Sequence, residues 1–317
     1  MRAYATDRFG DLADLTLRDL PKPAPGPSEL LIQIKAAAIN PADLMVLTNT
    51  SGGSFLHAGK FPLTLGFDFC GTVAEKGSSA GKYRVGDEVF GFLPYARSTR
   101  GGTFAEYVAV ASGTVGPKPK SLSPEQAAAS ATVAVTALQA LRDKGRLGGG
   151  QSVLINGASG GVGTIAIQVA RALGATVTAV CSAAKAPEVK SLRADAVYDY
   201  RTTRLTQITE RFDVVLDAAC TSSFRECAAL LNPGGTYVVL LPSLGLITGM
   251  VHSLFSSKRC RFLGVAPVAG DLELLSAWFD EGKLKPILDA SYPLAEVPKA
   301  LARVQAGDIR GKVAISI

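Results

Sequence analysis

Apolar residues follow two different rhythms along this chain. Up to about residue 122 they fall in short runs punctuated by glycine and proline: Glu29–Ile39, Phe69–Glu75, Glu88–Phe92 and Thr103–Val110, with Met1–Thr6 as an opening strand. Turn signals separate the runs, at Pro21-Lys-Pro-Ala-Pro-Gly-Pro27, Lys76-Gly77, Val85-Gly-Asp87 and Arg100-Gly-Gly102. Short strands at irregular spacing predict a compact β-barrel rather than an open parallel sheet. From Ser123 the rhythm changes. Ser123 is placed to cap a helix with Pro124 at its first position and Glu125 in its first turn, and the apolar pattern continues as Ala127–Leu141. Continuous apolar runs then recur at Val153–Asn156, Thr176–Cys181, Ala196–Tyr200, Asp213–Cys220, Thr236–Pro242 and Arg261–Ala266, with helical stretches between most of them. Six strands with helical crossovers predict a doubly wound parallel sheet. After a helix around Leu272–Gly282 the chain returns to β character at Ile287–Tyr292 and Lys312–Ile317, flanking an amphipathic helix Leu294–Ala306. The expected organisation is therefore α/β, with residues 1–122 and 286–317 forming a β-barrel domain. Residues 123–285 form a second, inserted domain, and a ligand site is expected in the cleft between the two.

The first strand of the parallel set runs into Gly157-Ala-Ser-Gly160-Gly-Val-Gly163 and then into Thr164-Ile-Ala-Ile-Gln-Val-Ala-Arg-Ala-Leu173. A tight strand-to-helix turn needs positive φ, and a diphosphate approaches backbone only where no Cβ intervenes. The first N–H groups of the helix then face the phosphates, with the helix dipole favouring negative charge. Gly157, Ser159, Gly160, Gly161, Val162 and Gly163 are the candidate contacts. Strand–turn–helix context makes this a dinucleotide loop rather than a turn that merely packs closely. The second strand narrows the cofactor. An NAD site places a carboxylate about 20 residues past the glycines, on the ribose hydroxyl. Here the strand ends Cys181-Ser182-Ala183-Ala184-Lys185, with no acidic residue between Ser152 and Glu188. Ser182 and Lys185 suit a 2′-phosphate, which points to NADPH; the alternative for Lys185 is an ordinary solvated lysine.

Composition excludes more than it selects. With 317 residues, 47% hydrophobic and 19% charged, the chain has the length for about two domains with sizeable cores and is not disordered. A net charge of +6 suits anionic cofactors, but Lys and Arg are scattered, with no stripe for nucleic acid. The longest apolar stretches, around Ala127–Leu141 and Thr236–Val251, are interrupted by Ser, Thr or Pro and fall short of a ~20-residue membrane span. No secretory signal pattern opens the chain, so a cytoplasmic protein is expected. The five cysteines (Cys70, Cys181, Cys220, Cys227 and Cys260) are dispersed, with no Cys-x-x-Cys knuckle, and His57 and His252 lack ligand-spaced neighbours, so no metal is expected.

Taken together, the motifs resemble the medium-chain dehydrogenase/reductase superfamily, and within it the zinc-independent quinone oxidoreductases of ζ-crystallin-like and chloroplast-envelope type. The markers are Ala38-Ile-Asn-Pro-Ala-Asp43, Lys60-Phe-Pro62 with Gly66-Phe-Asp-Phe-Cys-Gly71, Val85-Gly-Asp-Glu-Val-Phe-Gly91, Gly102-Thr-Phe-Ala-Glu-Tyr-Val108, Thr136-Ala-Leu-Gln-Ala-Leu141, the glycine loop and Asp199-Tyr-Arg201. The resemblance runs end to end and implies a GroES-like barrel beside a Rossmann domain. Zinc-dependent relatives carry Cys where this chain has Asn40 and a His-Glu pair where it has Phe67-Asp68, and the four-cysteine zinc lobe is absent.

Without a Lewis acid, the implied chemistry is hydride transfer to an already electrophilic carbon: a quinone, or the β-carbon of an α,β-unsaturated carbonyl. The protein then positions the acceptor and donates hydrogen bonds to its oxygen. Asn40 is the first candidate donor, with helix capping as its structural alternative. Tyr95 is the second catalytic candidate, and Arg97 a weaker one. The resemblance adds Thr136 near the nicotinamide and Tyr200 beside Ser182 and Lys185; a helical hydroxyl and an amphipathic rim residue are the plain alternatives. Asp68 is expected to pin the turn around Gly66. An enoyl reductase acting on acyl thioesters, entered past the loop Thr48–His57, and a non-enzymatic NADPH-binding protein of crystallin-like or RNA-binding kind are the competing functions. A homodimer through the cofactor domain is expected from the edge strand Phe262-Leu-Gly-Val-Ala266.

Overall fold

The computed structural model describes residues 1–50 and 52–317. Ser51, inside the loop singled out as a substrate entrance, lies outside the described residues. Two compact units emerge: Met1–Val135 with Ala266–Gly282 and Pro286–Ile317, and Thr136–Val265 with Lys283–Lys285. The first unit holds more than the 1–122 and 286–317 expected of it, for reasons visible in its packing. Helix Ala269–Asp280 lies against strand Val115–Pro117 so closely that a Cβ on Gly116 would sit 2.5 Å from the Leu272 side chain. Asp280 also accepts the Ser121 N–H at 2.8 Å. Residues 283–285 go the other way because the Gln168 amide brackets Lys285, donating to its carbonyl at 3.0 Å and accepting its N–H at 2.8 Å.

In the first unit, a three-stranded sheet (Thr16–Asp19, Arg2–Thr6, Leu63–Thr64) accompanies a seven-stranded one. The larger sheet runs in the order Leu288–Pro293, Lys312–Ser316, Glu29–Ala38, Asp68–Lys76, Glu88–Phe92, Val115–Pro117, with Tyr107–Ala111 also paired to Glu29–Ala38. All its pairs are antiparallel except the first. The Thr103–Val110 strand expected from sequence is shorter and begins at Tyr107, because Thr103 and Phe104 turn to bond Gly66 and Leu65. Leu30, Ile32, Phe67, Phe69 and Phe104 form a core that also takes in Leu294, Val297, Leu301, Val313 and Ile315. The C-terminal segment is therefore part of this unit's interior.

The second unit is a six-stranded, wholly parallel sheet. Its strands are β1 (Ser152–Asn156), β2 (Thr176–Cys181), β3 (Ala196–Asp199), β4 (Phe212–Asp217), β5 (Leu231–Val239) and β6 (Arg259–Phe262), in the spatial order β3-β2-β1-β4-β5-β6. Strand order reverses at β1 and β4, the switch point at which such sheets bind dinucleotides. The edge strand is Arg259-Cys-Arg-Phe262, not Phe262–Ala266; after Phe262 the chain leaves the sheet. Among the described residues no helix is long and apolar enough to cross a membrane.

Candidate active site and cofactor cradle

Sheet register in the first unit gathers three distant residues. Ala38 pairs with Asp68 on one side and with Ala314 on the other, so Asn40 and Lys312, each two residues further along antiparallel strands, come level beside Asp68. Asn40 Nδ2 donates to Asp68 Oδ2 at 2.9 Å. The Lys312 ammonium donates to Asn40 Oδ1 at 2.5 Å, to the Ile39 carbonyl at 2.7 Å and to Asp68 Oδ2 at 3.2 Å. From helix Pro124–Leu138, Thr132 donates both its N–H (3.0 Å) and its hydroxyl to Asp68 Oδ1. The Tyr95 hydroxyl reaches Thr132 Oγ1 at 3.4 Å, and its ring packs on Phe67 with centroids 4.3 Å apart. Burial, with Asp68 nearby, pushes the Tyr95 phenol well up from its ordinary range. Three side chains thus hydrogen-bond the fully buried Asp68, and Tyr95 is joined to it through Thr132.

At this corner one alternative does not hold and one expectation is corrected. Asn40 occupies the helix N-cap position, but its side chain makes no bond to the helix Pro41–Thr48. The capping carboxylate is Asp43, which accepts the Asn40 N–H at 2.7 Å from inside the first turn. Asp43 also holds the turn at Gly66, accepting its N–H at 3.0 Å, a task expected of Asp68. Enclosure outweighs those hydrogen bonds and the nearby Lys312, raising the Asp43 carboxyl to about 7. Arg97 does not join the cluster; its guanidinium lies 5.8 Å over the Phe55 ring.

In the second unit the glycines of the loop serve different ends. Gly157 has φ +82°, and a Cβ there would meet Ala219 N at 2.8 Å. A Cβ on Gly163 would stand 2.2 Å from the Gly157 carbonyl, so helix Gly161–Ala172 can approach β1 only with glycine at this point. Gly160 is neither strained nor crowded: its φ is −82° and the nearest protein atom to a built Cβ is 3.5 Å away. Nothing in the chain demands glycine there, which is what a cradle for an approaching phosphate looks like. Ser159, Gly161 and Val162 are all partly exposed around it. Behind the loop Asn156 donates to Asp217 at 2.8 Å, and Asp217 accepts from Tyr237 at 2.9 Å, tying the ends of β1, β4 and β5 together. Thr136 is buried, four residues beyond Thr132 on the same helix.

At the ends of β2 and β3, Cys181 pairs with Asp199 and the Tyr200 N–H donates to the Cys181 carbonyl at 3.2 Å. That pairing sets Ser182, buried, next to Tyr200, which is 56% exposed. Lys185 follows in the turn after β2, and Arg201, the last residue of the Asp199-Tyr-Arg201 marker and not among the expected cofactor contacts, lies 5.9 Å from the Tyr200 ring. Asp199 was also uncounted, because a linear reading of the β2 end does not see the neighbouring strand. Its Oδ1 accepts the Arg201 N–H at 2.9 Å. Burial and Asp199 raise the Cys181 thiol while Lys185 pulls it down, so both charges act at this strand end.

Two family models match the chain: an alcohol dehydrogenase GroES-like domain over residues 26–120 and a zinc-binding dehydrogenase domain over residues 192–315. The human mitochondrial NAD(P)H oxidoreductase RTN4IP1 is 33% identical, over 100% of this chain and 89% of its own length. The chain belongs to the quinone oxidoreductase branch of the medium-chain dehydrogenase/reductase superfamily. The solved quinone oxidoreductase from Coxiella burnetii superposes on it with a TM-score of 0.88 at 28% identity, covering 100% of this chain and 99% of that one. The 2-methylene-furan-3-one reductase of Solanum lycopersicum is 32% identical over 99% of this chain and 79% of its own. The two units are thus the GroES-like and Rossmann domains of an NAD(P)H oxidoreductase family. Although one family model is described as zinc-binding, no three His, Cys, Asp or Glu side chains converge on a metal position among the described residues.

Proposed function

We propose that this chain is an NADPH-dependent reductase that delivers hydride to a quinone or to the activated C=C of an α,β-unsaturated carbonyl, without a metal. The observation that carries the reading is the Asn40 amide, a neutral donor fixed by Asp68 and Lys312 where zinc-using relatives carry a ligand. NADPH, when bound, supplies the hydride. As hydride adds, negative charge gathers on the acceptor's oxygen, and an amide N–H aimed at that oxygen stabilises it. Tyr95 brings a phenol to the Asp68 cluster; burial holds it un-ionised, so its O–H serves as a second neutral donor toward the acceptor's oxygen, its long 3.4 Å bond to Thr132 being weak enough to give up. Gly157–Gly163 and Thr136 would hold the cofactor, with Ser182, Lys185, Tyr200 and Arg201 around its 2′-phosphate. Asp199 works against that phosphate, so a preference for NADPH of roughly 10–100-fold is expected, at 1.4 kcal/mol per decade. The name of the tomato relative supports the enone arm of the reading.

The test is oxidation of NADPH and NADH by the purified chain with quinones, short enones and enoyl thioesters, with and without chelator. Turnover of the first two classes, preference for NADPH and indifference to chelation are expected. A chain active only on enoyl thioesters, or inactive after chelation, overturns the reading. We also propose a homodimer through the Rossmann unit. Its support is helix Leu244–Leu254, whose Leu244, Ile247, Val251 and Leu254 are exposed together with Phe255, beside the open edge β6. A monomer mass by light scattering at micromolar concentration contradicts it.

A further inference from the structure

We propose that Lys312 is a positioning residue. Its buried ammonium locks the Asn40 amide in the one orientation that leaves an N–H for the acceptor's oxygen. The inference rests on the reductase reading above and names a residue 272 positions away from the one it serves.

Counting hydrogens carries the argument. An ammonium has three, and Lys312 engages all of them, on Ile39 O, Asn40 Oδ1 and Asp68 Oδ2. Nothing is left with which Lys312 itself could touch a ligand. Asp68 is filled too: Thr132 donates twice to Oδ1, and Asn40 and Lys312 share Oδ2. The Thr132 hydroxyl hydrogen goes to Asp68, and the Tyr95 hydrogen to Thr132. Asn40 Nδ2 carries two hydrogens, of which one is on Asp68. The other is the cluster's one uncommitted amide hydrogen.

Amide orientation follows from its neighbours. Rotated by half a turn, Asn40 would press its oxygen on the Asp68 carboxylate and its NH2 on the Lys312 ammonium. Both contacts are repulsive, so the pair of charges admits one rotamer. Remove the ammonium and half of that discrimination goes. An uncompensated buried carboxylate would also then stand beside the site where negative charge develops. Side-chain exposures of 7% for Lys312 and 0% for Asp68 mean that water does not replace either partner.

Lys312→Met alone tests folding as much as positioning, because it strands Asp68. The deciding comparison is Asp68→Asn/Lys312→Met against Asp68→Asn/Lys312→Gln. Both pairs are uncharged, but only glutamine can still donate to Asn40 Oδ1. Two readouts are taken: kcat with the best quinone or enone, and the affinity of the cofactor-free protein for 4-nitrophenolate, an oxyanion whose absorbance reports hydrogen bonding. The glutamine pair is expected to exceed the methionine pair by about 10-fold in both, with equal melting temperatures and equal NADPH affinity. Equal kcat and equal phenolate affinity in the two pairs would overturn the inference, leaving Lys312 as a counter-charge only. If the wild type reduces no quinone or enone, the functional reading fails on its own, while phenolate binding still decides whether Lys312 orients the amide.

Discussion

Replacing Gly160 and Gly163 by alanine, one at a time, separates what the glycine loop does for the fold from what it does for a ligand. At Gly163 the new Cβ would lie 2.2 Å from the Gly157 carbonyl oxygen and 2.6 Å from Ala158 Cα, all backbone that cannot rotate away. The helix must move off β1, an overpacking strain of about 1–3 kcal/mol or more. At Gly160 the Cβ finds its nearest neighbour at 3.5 Å, with φ and ψ that any residue adopts. Two opposed terms remain there. Restricting the unfolded chain favours alanine by ~0.4–1 kcal/mol. Losing glycine at an N-cap costs a similar amount, since alanine is among the poorest caps. Gly160→Ala should therefore melt within a few degrees of wild type, at roughly 2–4 °C per kcal/mol for a unit of this size. On the proposed reading of the loop, its Cβ would nonetheless stand where the diphosphate approaches. Losing one charge-assisted hydrogen bond of about 1.5–3 kcal/mol weakens binding by roughly 10–150-fold. Scanning calorimetry of the cofactor-free chains and NADPH fluorescence titration measure both. A Gly160→Ala chain that binds NADPH like wild type refutes the assignment of this loop to the phosphates.

Lys185→Ala should weaken NADPH by about 5–20-fold, as expected for one solvated cation on a phosphate, and leave NADH unchanged; equal losses for both would put the phosphate elsewhere. Tyr95→Phe keeps the ring on Phe67 and removes only a 3.4 Å hydrogen bond, so its melting temperature should hold while kcat falls about 10-fold; an unchanged kcat makes Tyr95 a packing residue. Asp43 gives a pH signature. Its carboxyl titrates near 3.8 when unfolded and at about 7 when folded, so the folded state binds more protons between those values and stability falls as pH rises through that window. The slope attributable to it is at most ~1.4 kcal/mol per pH unit and should be missing from Asp43→Asn in urea titrations at pH 5 and pH 7. Parallel pH curves for the two chains would contradict this.

The cofactor unit was legible because its signals are local. Strand, glycine turn and helix are consecutive, and each buried strand announces itself as an apolar run; Thr176–Cys181 falls on the observed strand residue for residue. Errors arose where a neighbour in space decides. Asp199 is visible in its motif, but its place beside the end of β2 is set by pairing with Cys181 and not by sequence distance. The edge strand lies earlier than its apolar pattern suggests, because Arg259 and Arg261 interrupt that pattern on an exposed face, while the apolar residues after Phe262 lie outside the sheet. Helix Ala269–Asp280 reads as part of the alternating half, yet the crowding at Gly116 and the bond to Ser121 hold it to the barrel.

The Asp68 cluster shows why a site built without a set of metal-type ligands is hard to find by motif. A zinc site requires ligand types that stand out singly; here asparagine, aspartate, threonine and lysine are each ordinary. Their partnership comes from strand register: the bonded pairs are separated by 28, 64, 244 and 272 residues. One local signal existed. Lys312 opens a strand whose next three residues, Val313, Ala314 and Ile315, are fully buried. A lysine leading such a strand must either snorkel to solvent or find a buried anion. Here it finds Asp68, itself the first residue of a buried strand. Each charge alone would argue against burial at its position, and together they argue for a site. Two ionisable residues of opposite charge that open the two strands flanking a third, antiparallel one are therefore a pattern worth seeking wherever a dehydrogenase-like chain lacks metal-type ligands.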